Sequence, residues 1–141
     1  MALQVTRVQV WMASMQDKPG GLAGKLVALA RAGASLEFVF ARRAAGQPGG
    51  VVFLAPLKGA AQIRTAKAVG FASSSRLHTV RVAGADKPGL AAKLTQKVAA
   101  AGLNLRGLSA MALNKRGVMY LAFDSAADAA AAVRALKKRG R

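Results

Sequence analysis

Asp17-Lys18-Pro19-Gly20 recurs as Asp86-Lys87-Pro88-Gly89, 69 residues further along the chain. The surroundings recur with it. An alternating apolar segment precedes each copy and an Ala/Leu-rich segment follows. An Ala-Gly pair then closes that segment, with the glycines at Gly33 and Gly102, again 69 residues apart. A four-residue match is weak by itself, but a match that repeats its whole context marks a tandem duplication. Whatever one turn does, a second turn of similar build stands ready to do.

The residues around the turns predict their structure. Val5 to Ala13 reads as a strand, with Thr6, Val8, Val10 and Met12 on one face and Val5, Arg7, Gln9 and Trp11 on the other. The turn Asp17 to Gly21 should lead into a helix, with Asp as its N-cap and Pro in its first turn. Leu22, Leu26 and Leu29 follow at helical spacing, and Gly33 suits the stop. Leu36 to Arg42 reads as a strand, Gln47 to Gly50 as a turn, Val51 to Leu57 as a strand and Ala60 to Val69 as a helix. The second half repeats this order: strand Leu77 to Ala83, helix Pro88 to Ala101, strand Leu103 to Leu113, turn Asn114 to Gly117, strand Val118 to Phe123 and helix Ala126 to Lys138. Ser125 and Asp128 have capping-box spacing at the start of that last helix. The expected division is residues 1–71, a Ser-rich connection at 72–76, and residues 77–141.

Two points stay open on the residues alone. Lys25-Leu26 aligns with Lys93-Leu94 at an interval of 68, against 69 for the turns and closing glycines. A fourth strand for each unit is also missing, so the units are truncated, or share a strand, or use a very short one. The class that fits is α+β, a split βαβ arrangement.

Composition excludes several functions. The chain has 141 residues, so each repeat is small; a unit of about 70 residues buries only about 60% of its unfolded surface. The halves are expected to pack on each other or on another chain. Cysteine is absent, which removes disulfides and thiolate chemistry. With one His and five acidic residues, no cluster suits a transition metal. No nucleophile stands beside a base, no carboxylates pair, and no Gly-Lys-Ser phosphate loop occurs, so no enzyme and no cofactor is expected. No run is long and apolar enough to span a bilayer and no basic region opens a signal peptide, so the expected location is the cytoplasm. The formal charge is +17, from 22 basic residues. It predicts salt-sensitive attraction to polyanions.

A strand, then Asp86-Lys87-Pro88-Gly89-Leu90, then a helix closing on Ala101-Gly102 and a strand opening Leu103-Asn104-Leu105 resembles the ACT domain. Asp17-Lys18-Pro19-Gly20, Ala32-Gly33 and Ala34-Ser35-Leu36 resemble it a second time. The similarity covers nearly the whole chain and is closest to stand-alone bacterial proteins of paired ACT domains. It implies two ferredoxin-like (βαββαβ) units in tandem, sheets joined edge to edge, helices on one face. It also implies a regulatory protein that binds a small molecule, most often an amino acid, and that works as a homodimer or with a metabolic enzyme. On this resemblance the ligand-binding residues are Asp86, Lys87, Pro88, Gly89, Leu90 and Asn104 in the second unit. In the first they are Asp17, Lys18, Pro19, Gly20, Gly21 and Ser35. Ser35 departs from the family's Asn and reaches less far. A helix N-terminus offers N–H groups to a carboxylate, and Gly lets a ligand approach the backbone.

Two other functions are compatible with the residues. One is a module that binds RNA or another single-stranded nucleic acid, because Arg116-Gly117 followed by Tyr120 and Phe123 partly matches the basic-Gly-aromatic strand of RNA-recognition domains. The other is a protein-interaction module with no ligand. Trp11 is expected in a core or interface, and Glu37 and Arg106, at matching positions, as a cross-strand pair or as solvated groups.

Overall fold

The computed structural model describes residues 3–46, 48–73 and 77–137. Gln47, Ser74 to Arg76 and the basic residues after Lys137 lie outside the described residues.

The run expected as one strand is two. Strands β1 (Gln4–Val8) and β2 (Trp11–Met15) belong to different sheets. The burial pattern shows why. Val5 is buried in one core, whereas Trp11 and Ala13 are buried in another. The chain changes partners between Val8 and Trp11 although its apolar alternation runs on.

One compact unit continues from β2 through α1 (Gly21–Arg31), β3 (Phe38–Arg43), β4 (Gly50–Ala55), α2 (Gly59–Ala68) and the two-residue β5 (Ala72–Ser73). Its antiparallel sheet has the order β3-β4-β2-β5. Trp11, Ala13, Val52 and Leu54 face the helices and pack with Leu29, Ala66 and Phe71. The other unit is built of β6 (His78–Ala85), α3 (Leu90–Ala100), β7 (Gly107–Leu113), β8 (Arg116–Phe123) and α4 (Ala126–Lys137). Its sheet order is β1-β6-β8-β7, also antiparallel. Val80, Val82, Leu94, Val98, Leu121 and Phe123 form its core with Val5. The Ser125 hydroxyl accepts the Asp128 N–H at 3.0 Å, so the expected cap of α4 is made.

Each unit therefore has the split βαβ order expected, and the missing fourth strands are found. The first unit uses the very short β5. The second borrows β1 from the far end of the chain, with Gln4 opposite Ala83 and Val8 opposite Thr79. Residues 3–8 thus group with residues 77–137, which differs from the division at residues 1–71 and 77–141. The physical reason is the outer edge of β6: its N–H and C=O groups need partners, and β1 provides them. The pairings give two four-stranded sheets. Each ladder ends at its own outer strands, β3 and β5 in one and β1 and β7 in the other.

The alignment question is settled by the helices. Both α1 and α3 span 11 residues, and they begin 69 apart, so the gap-free register is the structural one. Lys25 then occupies the place of the fully buried Leu94. Its stem replaces the leucine, and its Nζ donates to the Val69 carbonyl and stands 5.8 Å from the Phe71 ring centroid. An ammonium is tolerated there because its stem packs while its head finds an acceptor and a ring face.

Candidate functional site

The turn before α3 is built differently from the N-cap expectation. Gly89, not Asp86, is the N-cap residue, at φ 82°, and no side chain caps the helix. Gly20 does the same for α1, at φ 85°. Pro brings the chain in at a fixed angle, and the next residue must take a left-handed conformation that glycine allows at little cost. Neither helix has an acidic residue in its first turn. The positive end of each helix dipole is thus left without a neutralising group in that turn.

In the second unit this helix start faces a cleft of about 370 Å³. Asp86 to Ala92 form one wall, and Ala110, Met111, Gly117, Val118 and Met119 the other. Asp86 is anchored by its N–H, which donates to the Lys115 carbonyl at 2.8 Å. Its carboxylate is directed toward Gly117: a methyl carbon placed on Gly117 would stand 3.8 Å from Asp86 Oδ1 and 3.7 Å from Leu90 Cδ2. The absent side chain at Gly117 is part of the cleft. The two-residue turn Asn114-Lys115 brings Gly117 here, both residues taking positive φ, 52° and 64°. Such a turn matches the twist of the flanking strands. One wall therefore carries a helix N-terminus and a carboxylate, and the other is mainly apolar. The arrangement suits a small molecule with an anionic end, a cationic end and an apolar body.

Asp86, Lys87, Pro88, Gly89 and Leu90 are brought together as expected. Asn104 is not with them. It lies before β7, near the end of the sheet where Gly107 pairs with Ala122, whereas the cleft is at the end where Ala112 pairs with Gly117. Ser35 is likewise separated from Asp17 to Gly21, because it precedes the β3 end that pairs with Ala55. The lining residues that sequence reasoning missed are Ala91, Ala92, Ala110, Met111, Gly117, Val118 and Met119. Only Gly117, just after a tight turn, carried a visible signal.

The first unit's turn is filled from within. Met15 stands where the second unit has Gly84, and its Cε would lie 3.2 Å from a methyl placed on Gly50, the counterpart of Gly117. Gly21 takes the position of Leu90, and a methyl there would come 2.7 Å from the Gln16 carbonyl oxygen. Asp17 is held by Arg43 at 3.1 Å. The two turns thus use opposite size choices: a large strand residue with glycine on the helix in one, glycine strands with leucine on the helix in the other.

Other expectations resolve locally. Trp11 is buried in its core. Arg106 pairs with Asp124 at 2.8 Å. Tyr120 and Phe123 are buried, so β8 offers no stacking surface for bases. Met12 and Met111 are exposed. Among the described residues no group of three or more His, Cys, Asp or Glu could hold a metal ion. No helix among them is long and apolar enough to cross a membrane.

No family model matches this sequence, and no curated protein does. Solved structures share its fold. A protein of Bacteroides thetaiotaomicron superposes with a TM-score of 0.76 at 15% identity, over 92% of this chain and 88% of that one. The ligand-free regulatory subunit of aspartate kinase from Thermus thermophilus superposes with a TM-score of 0.68 at 18% identity, over 100% of this chain and 99% of that one. The corresponding subunit from Thermus flavus gives 0.57 at 22% identity, over 96% and 93%.

Proposed function

From the premise that the chain carries the tandem ACT fold, we propose that it is a non-catalytic regulatory module that binds a small amino-acid-like ligand in the second unit. The observation that carries this reading is the cleft itself, where an uncapped helix start, the Asp86 carboxylate and the empty space at Gly117 meet. The ligand's carboxylate faces the first N–H groups of α3, its ammonium faces Asp86, and its side chain lies along Met111 and Val118. The first unit is a structural copy, with Met15 and Arg43 in the place of ligand. Asn104 joins the ligand from a second copy of this chain. The module acts in the cytoplasm, as a homodimer or on a metabolic enzyme.

The test is a thermal-shift panel of the twenty amino acids at low and high salt. A ligand at about 100 times its Kd adds about 2.7 kcal/mol, a shift of several degrees. A selective shift that survives high salt and disappears in Met111→Glu supports the reading. A flat panel rejects it.

A further inference from the structure

The high positive charge and one apolar surface are left unused by the cleft, and they belong together. In the first unit Val52, Leu54, Trp11 and Ala13 face the helices. The alternate residues face the other way. On that open face Phe40 lies directly opposite Phe53, and Phe53 opposite Met12, a continuous row across three strands. The two rings stand 6.4 Å apart with an interplanar angle of 32°. Phe40 is 44% exposed and Met12 37%. Phe38 and Arg42 flank Phe40 on the same face of β3. Three of the chain's five phenylalanines are thus on a surface that water reaches. Rings left in water contribute little to folding, so an occupant is implied.

We infer that this open face binds single-stranded nucleic acid, with bases stacked on Phe40 and Phe53 and the phosphate chain drawn by Arg42 and the cationic surface. Two features select this occupant. Every base has a π-face, so a short row of rings binds a strand without sequence readout. The chain carries 22 basic residues against five acidic, and Arg42 stands in the apolar row's own strand. That charge is complementary to a polyanion. The corresponding row of the second unit is Ser109, Tyr120 and Arg81, with Tyr120 buried, so that row carries no exposed ring. Single strands are preferred over duplex because paired bases have their faces covered.

The experiment is fluorescence anisotropy with the full chain and a labelled oligouridylate of about 12 nucleotides, beside duplex RNA of the same length. Phe40→Leu keeps an apolar side chain and removes the ring, so the fold is kept. It is expected to weaken single-strand binding at least about fivefold. Arg42→Ala is expected to flatten the salt dependence by about 0.7 in the log–log slope. Equal binding by Phe40→Leu and the unaltered chain overturns the proposal and leaves general polyanion attraction. So does light scattering that shows a dimer broken by Met12→Lys while RNA binding is unchanged; the face is then an interface between copies.

Discussion

Arg43 Nε lies 3.1 Å from the Asp17 carboxylate, and the residue that matches Arg43 in the second unit is Ala112. The same turn is therefore self-paired in one unit and open in the other. Arg43 is 83% exposed and Asp17 49%, so the pair itself contributes little stability. Arg43→Ala is expected to change stability by less than about 1 kcal/mol in a denaturant titration. Calorimetry with any amino acid selected by the thermal panel should give one site per chain. Two equivalent sites would show that Arg43 and Met15 do not close the first turn.

Glycine at Gly89 and at Gly117 fails differently. Gly89 has φ 82°, so Gly89→Ala strains the backbone and should cost about 1 kcal/mol. Its effect on binding is then mixed with an effect on α3. Gly117→Ala meets only ordinary contacts, 3.7 Å from Leu90 Cδ2, and should leave stability within about 0.5 kcal/mol while narrowing the cleft. Ligand affinity should fall in Gly117→Ala with an unchanged melting temperature of the free protein.

Lys25 and Leu94 occupy equivalent places with different chemistry. Leu94→Ala removes a fully buried side chain and should cost about 3 kcal/mol. Lys25→Ala loses one hydrogen bond to the Val69 carbonyl and some packing, about 1 to 1.5 kcal/mol. Comparing the two by chemical denaturation checks the gap-free register; similar costs would contradict it.

Much of the architecture was legible in the sequence, and the unread parts have a common cause. The repeated turn, the helical stripe Leu22-Leu26-Leu29 and the apolar run Val118 to Phe123 of β8 are local patterns, and they appear where expected. The transfer of β1 to the second sheet is not local. Val5 pairs with Val82, far along the chain, while Val5 to Ala13 reads as one uninterrupted alternating run. Short-range periodicity cannot say which strand a strand will meet. The cleft divides in the same way. Asp86 to Leu90 stand in one motif, but Met111 and Val118 reach it only because β7 and β8 return to that end of the sheet.

The outer strand β7 is seven residues long and has neither charge nor proline, with Met111 73% and Leu113 70% exposed. Native edges of this kind are covered or protected. The chain is expected to self-associate there, and Met111→Lys should convert a dimer to a monomer in light scattering. A monomer before substitution would count against it.

Val5→Ala is expected to cost about 2 kcal/mol, through the core it shares with Val80 and Val82. Hydrogen exchange should then quicken in β6 and β8 and not in β2 and β4. Exchange confined to the first sheet would contradict the strand assignment.

The position of β1 gives the duplication an out-of-phase reading frame. The repeat as written starts at one point and the folded unit starts at another, so cutting the gene midway does not release two equal modules. A fragment from residue 77 onward has a sheet with an open seam, and a fragment of residues 1–73 carries the strip that closes it. Expressed as separate pieces, the two are complementary parts, with β1 as the tab that rejoins them.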